Sequence, residues 1–131
     1  MDPLPRDSRT HSTALAAWLL LAAALWPAPR AAWPHAFPDH SDPRVGHTVD
    51  AAPAEVRIWF DGEIEPVFSS IRVEDANQQR VDKGDGRVDA RDKTLLEVSL
   101  PALGPGKYLV FWSVVARDGH RTEGRFPFRV K

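Results

Sequence analysis

The sequence predicts an all-β protein, a β-sandwich or small barrel of about seven strands. Three observations carry this expectation. After residue 35 apolar and polar residues alternate along most of the chain, the period-two pattern of half-buried strands. No stretch of that region shows a convincing helical period. The breaks between alternating runs are turn material, Ala52-Pro53, Asp61-Gly62, Lys83 to Gly86 and Pro101 to Gly106, at the short spacing of sandwiches and barrels.

The first third of the chain is different in kind. Ala14 to Trp26, "ALAAWLLLAAALW", is thirteen apolar residues without a charge, well short of the about 20 that a membrane-spanning helix needs. It follows Arg6 and Arg9 and precedes a small-residue stretch, which is the pattern of a secretory signal. Residues 1–34 are therefore expected to be a cleaved signal and residues 35–131 the folded domain. The cleavage point is not an ordinary one: a cut before His35 puts Ala32 at −3 but Pro34 at −1, where a small residue is expected. Removing 34 of the 131 residues leaves 97, enough for one core. The removed part carries Arg6, Arg9 and Arg30 against Asp2 and Asp7, so the whole-chain charge of −1 becomes −2. That balance gives no electrostatic case for nucleic acid. The absence of cysteine excludes disulfides and thiol chemistry.

The strands follow in order. "EVRIWF" sets Val56, Ile58 and Phe60 on one face; "SSIRVED" does the same with Ile71 and Val73. "TLLEVSL" groups Leu96, Val98 and Leu100, and "RFPFRV" groups Phe126, Phe128 and Val130. "GKYLVFWSVVA" aligns Tyr108, Val110, Trp112, Val114 and Ala116 and is apolar on both faces, as a central strand is. "VDKGDGRVDARD" holds Asp82, Asp85, Asp89 and Asp92. Their spacing does not match a calcium loop, and a solvated hairpin with short strands is expected there.

Two of the histidines stand out. Asp118 and His120 flank Gly119 directly after the longest alternating run and share its core-facing parity. In extended chain they would lie side by side at one end of the sandwich. The competing reading is a plain Asp-Gly turn. A two-residue turn pairs residues whose numbers sum to 237, setting Trp112 opposite Arg125, so the apolar faces miss each other. Pairing Trp112 with Phe126 sums to 238 and needs an odd-length loop or a bulge. The residues alone leave turn and site both open.

His35 lies at the expected new N-terminus. There it would offer a ring nitrogen and a free amine, whose pKa of about 8 lets a metal displace its proton. Two imidazoles, an amine and a carboxylate form a nitrogen-rich tetragonal set suited to Cu(II), whereas Cu(I) prefers Met or Cys. The only methionine is Met1, which leaves with the signal.

These features together resemble the CopC family of periplasmic copper-binding proteins. "HAFPDHSDPRVGHTV" is similar to the family's start, "APAEVRIWFDGEIEP" to its second strand, and "LPALGPGKYLVFWSVVARDGHRTEGRFPFRV" to its ending with D-G-H. The resemblance covers essentially the whole of residues 35–131. It implies a Greek-key β-sandwich, cupredoxin-like and immunoglobulin-like, and a Cu(II) site made of His35, Asp118 and His120. Some members add an acidic residue after the second strand; Asp61 and Glu63 lie in that region. Pro34 departs from the family, which has Ala before the mature histidine. If processing stops elsewhere the amine is lost, and His40 is a candidate substitute; His47 is expected to be a surface residue. The implied function is an exported, monomeric Cu(II) carrier or buffer in copper resistance or delivery, not an enzyme, with a membrane copper transporter of the CopD type as a partner. The alternatives are a metal-free immunoglobulin-like interaction module and a histidine-brace copper monooxygenase.

Overall fold

The computed structural model describes Met1 and residues 35–131; the rest of the expected signal lies outside them. Eight strands are present among the described residues, one more than expected. They are β1 (Pro38–Asp42), β2 (Thr48–Val49), β3 (Glu55–Phe60), β4 (Ser70–Glu74), β5 (Arg87–Val88), β6 (Leu95–Ser99), β7 (Gly106–Val115) and β8 (Arg121–Val130). A 3-10 turn, Pro66–Phe68, links β3 to β4.

The strands form two four-stranded sheets, ordered β1-β3-β6-β5 and β2-β8-β7-β4. Their pairings are antiparallel except for β2 beside β8. The chain changes sheet at every step from β1 to β5 and again between β6 and β7, as the Greek-key sandwich expected of the family requires.

Alternation explains the packing. Along β3, Val56, Ile58 and Phe60 are buried; along β4, Ile71 and Val73; along β8, Phe126, Phe128 and Val130. They meet Tyr108, Val110 and Val114 of the central strand β7, and Ala116 just beyond it, in one continuous core. Burial of this kind stabilises by about 25 cal/mol per Å² of apolar surface removed from water.

Two features depart from simple alternation. On β6, Leu95 and Glu97 are buried as well as Leu96 and Val98. Glu97 points away from the core but is covered by Arg57 and by Arg87, whose Nη2 is 2.8 Å from its Oε1. A carboxylate this buried needs such cationic partners. The other feature is β1, "PDHSD", mostly exposed. It is an edge strand held by main-chain pairing to β3, not by an apolar face.

The aspartate-rich segment 81–92 bends the chain. Asp82 accepts hydrogen bonds from the Val73 and Gly84 N–H groups and from Arg80, and has no exposed side-chain surface. Asp85 accepts from Ser99 N–H, Asp89 from Arg91 and Asp92, and Asp92 from Thr94. Asp82, Asp89 and Asp92 each satisfy a nearby turn amide, the ordinary role of Asp in such places, whereas Asp85 ties the segment to the end of β6. Short β5, within this segment, then pairs with β6.

The β7–β8 register is the longest among the described residues. Tyr108 faces Phe128, Val110 faces Phe126 and Trp112 faces Gly124. Those numbers sum to 236, so the apolar rows meet, two residues away from the Trp112–Phe126 pairing that the sequence left open beside the two-residue turn. Trp112 requires this glycine: a Cβ at residue 124 would lie 2.6 Å from Trp112 Cζ2 and 2.9 Å from Cε2.

Gly124→Ala is therefore expected to destabilise by about 1–3 kcal/mol through overpacking, read from denaturant unfolding; unchanged stability would mean that the indole moves aside freely. A second expectation concerns acid. Burial opposes the charge on Asp82, but the Arg80, Val73 and Gly84 contacts outweigh it and hold the folded pKa below the ordinary value. A depressed folded pKa gives stability that is complete above the unfolded pKa of about 3.9 and is lost as pH falls below it. Asp82→Ala is expected to cost about 1–3 kcal/mol at neutral pH, because it orphans two backbone donors. The wild-type advantage over this variant in urea midpoint should shrink as pH drops below about 4; an advantage independent of pH would refute the ionised cradle.

Candidate metal centre

β7 ends at Val115, and Ala116 then bridges Ile64. The Ala116 N–H donates to the His120 carbonyl at 2.9 Å, and the Gly119 N–H donates to the Ala116 carbonyl at 2.9 Å. Residues 117–119 thus form a three-residue loop, with Gly119 at φ +88°, where glycine is favoured. The strand does not continue extended through Asp118, as strand parity alone would have it. The odd loop length keeps the apolar rows of β7 and β8 face to face, and this outweighs further extension. Turn and side-chain cluster are therefore the same object.

The loop itself brings Asp118 and His120 together. Asp118 Oδ1 accepts the His120 backbone N–H at 3.0 Å, and Oδ2 lies 2.7 Å from His120 Nδ1. The backbone N–H of His120 is the first cause that holds the Asp118 carboxyl below its usual pKa; its ring and the nearby His35 add to this against desolvation. The carboxylate is ionised at neutral pH and available to a cation.

His35 comes from the other end of the described chain. Its ring stands edge-on to that of His120, with centroids 4.6 Å apart and planes at 89°. One donor atom from each of His35, Asp118 and His120 lies within 4.8 Å of the others. Metal–nitrogen bonds of about 2 Å would draw such donors to about 4 Å or less, closing half-buried His35 and the exposed Asp118 and His120 side chains further around the ion. Two imidazoles and an anionic carboxylate suit a borderline divalent ion such as copper or zinc. The site thus fits a transition-metal cation.

The surroundings are a shallow cavity of about 300 Å³, lined by His35, Ala36, Gly62, Glu63, Arg117 and Asp118, among others. Glu63 pairs with Arg117 at 2.7 Å on its rim. Asp61 is engaged by the backbone of Phe37 instead. Its Oδ1 accepts the Phe37 N–H at 2.7 Å, and its own N–H donates to the Phe37 carbonyl at 2.9 Å. His40 is not part of the cluster; its ring stacks on Trp59 and its Nδ1 lies 2.8 Å from Asp39 Oδ2. His47 is exposed in the turn before β2.

Two residues beside the centre carry no obvious mark in the sequence. Ala36 is fully buried, and its carbonyl accepts the Thr122 hydroxyl at 2.7 Å. Thr122 follows His120 by two residues, just inside β8, so spacing held a signal. Its partner lies 86 positions away, which no local pattern reveals.

Comparison with known proteins bears on this geometry. Residues 39–131 match the family model of the CopC domain. Protein YobA of Escherichia coli strain K12 is 33% identical over 100 residues, covering 76% of this chain and 81% of YobA. Copper transport protein CutJ of Bacillus subtilis is 30% identical over 114 residues, which is 86% of this chain but 21% of CutJ. Among solved structures, CopC from Methylosinus trichosporium OB3b aligns with a TM-score of 0.69 at 33% identity, covering 74% of this chain and 94% of that one. PcoC, a methionine-rich copper resistance protein from Escherichia coli, aligns with a TM-score of 0.64 at 22% identity, over 74% of this chain and 99% of PcoC; this is a likeness of fold.

Proposed function

This chain belongs to the CopC family, and on that premise we propose that it is an exported Cu(II)-binding protein that carries or buffers copper. The observation that supports this best is the convergence of His35, Asp118 and His120, whose donor atoms lie within 4.8 Å of one another. The relatives named for copper transport and copper resistance point to the same cargo.

The donor chemistry favours the divalent ion. The described domain from residue 35 contains neither methionine nor cysteine, the soft ligands that Cu(I) selects. Imidazole and carboxylate suit Cu(II), which also stands highest in the divalent affinity order. If the chain is cut before His35, the free amine adds a fourth donor next to the His35 ring. Amine, two imidazoles and the Asp118 carboxylate then complete a tetragonal set. A filled equatorial set leaves no strong position open for a substrate, which supports a carrier and not a catalyst.

Export rests on the apolar run Ala14 to Trp26 behind Arg6 and Arg9, with the periplasm as destination. In this reading residues 1–34 are the signal and residues 35–131 the copper-binding domain, acting as a monomer. A membrane copper transporter of the CopD type is the partner that the family resemblance implies.

The test uses the exported protein. Its intact mass is expected to correspond to a chain beginning at His35. It should bind one Cu(II) with an axial, nitrogen-rich EPR signal, and His120→Ala should weaken binding by about 100-fold or more, the upper end of what loss of a mere supporting group costs. An axial nitrogen-rich signal that survives His120→Ala unchanged would overturn the assignment.

A further inference from the structure

The three side chains of the centre are held very differently. Asp118 and His120 sit in a closed loop at the tip of the longest hairpin. His35 precedes β1, which begins at Pro38, so no strand pairing fixes residues 35–37. Chain ends of this kind fray unless tied down. Here the ties act on the next two residues. The Ala36 methyl is fully buried in the sandwich core. The Ala36 carbonyl accepts the Thr122 hydroxyl at 2.7 Å. The Phe37 N–H and carbonyl are both taken by Asp61, through its side-chain oxygen at 2.7 Å and its own N–H at 2.9 Å.

We propose that Thr122 and Asp61 are positioning residues for the metal centre: they moor the backbone of Ala36 and Phe37 and so hold the His35 ring against His120. The role in copper binding rests on the function proposed above, whereas the mooring itself does not. Thr122 lies on β8, two residues beyond His120 of the loop that leads into it, so one hairpin arm supplies both a ligand and the tie that presents the opposing ligand. Asp61 stands immediately after β3, so the second sheet supplies the other tie. The two ties fix the residues following His35 from opposite sheets. Binding then orders fewer groups than a loose terminus would require, and pre-organisation of this kind raises affinity.

The chemistry also separates two roles for Asp61. Its Oδ1 is spent on an amide N–H, a bond that an amide oxygen accepts as well as a carboxylate does. As a positioning residue, Asp61 is replaceable by Asn. As a copper ligand through its charge, it is not.

The experiment compares the wild type with Thr122→Val, Thr122→Ser, Asp61→Ala and Asp61→Asn, all as processed protein. In the metal-free form, NMR cross-relaxation between the His35 and His120 rings, 4.6 Å apart at their centroids, should be present in the wild type, Thr122→Ser and Asp61→Asn. It should be lost in Thr122→Val and Asp61→Ala. With Cu(II), the latter two should bind about 10- to 100-fold more weakly, as loss of supporting contacts does at metal sites. Their EPR signals should move toward that of His35→Ala, and Thr122→Ser and Asp61→Asn should restore the wild-type signal. If Thr122→Val does not fold, the Asp61 pair carries the comparison alone. Ring contacts and copper binding unchanged in Thr122→Val and Asp61→Ala would overturn the proposal. So would Asp61→Asn behaving like Asp61→Ala with the ring contact intact, which would make Asp61 a ligand. A wild type that keeps the ring contact but takes up no Cu(II) would sink the copper reading and leave the mooring standing.

Discussion

The pairing register of β7 and β8 is the constraint on which the rest of the molecule depends. A shift of one residue would turn Tyr108, Val110 and Val114 away from Phe126 and Phe128 and expose one of the two rows. The register that avoids this pairs residues summing to 236 and leaves three residues, 117–119, to close the hairpin. A loop of that length needs a residue in the left-handed region, and Gly119 supplies it at φ +88°. The same closure points the Asp118 carboxylate back at the N–H and ring of His120. The packing of the core thus determines the geometry of the two donors, with no separate device for the site.

The second constraint is topological. The donor loop belongs to one sheet, while β1, which follows His35, lies at the edge of the other. A centre made from both lies at the open end of the sandwich, where the strands stop and side chains reach water without a break in the core. Ala36 seals that end: its side chain is in the core although the residue before it faces the cavity. A larger residue at 36 would meet close-packed neighbours, and interiors at near-crystalline density yield little.

Most of the fold was legible because its strands bury one face each. β3, β4, β7 and β8 announce themselves through period-two apolar rows, and the structure buries those rows. β1 gave no such signal, since "PDHSD" has a single buried residue, Ser41; it is a strand because the edge of β3 offers unpaired backbone groups. β2 and β5, of two residues each, are too short for any period to show. Glu97 reads as solvent-facing by parity and does point outward, yet Arg57 and Arg87 cover it, a long-range contact that local sequence does not encode. At the centre, Asp118 and His120 were readable as a pair because they are two residues apart. That they sit in a turn and not on extended strand was not readable, because loop length follows from the partner strand's register. The mooring contacts of Thr122 and Asp61 span 86 and 24 positions, which puts them beyond any periodicity.

The mooring also separates where His35 sits from what it offers. Its ring is placed by contacts to Ala36 and Phe37, both downstream of it, and none of these contacts involves the His35 nitrogen. The ring therefore reaches His120 whether that nitrogen is an amide bonded to Pro34 or a free amine. What changes on cleavage is the number of ready donors. An amide nitrogen holds its proton far more tightly than an amine, whose pKa of about 8 lets a metal displace it at neutral pH. Cleavage would convert a site of two imidazoles and a carboxylate into one with four donors, without moving the side chains. The unusual Pro34 then bears on the chemistry of the ion and not on the architecture of the centre. On the function proposed, affinity for Cu(II) would depend on whether the peptide bond before His35 is cut, while the geometry rests on the register of a hairpin and two hydrogen-bonding side chains within the domain.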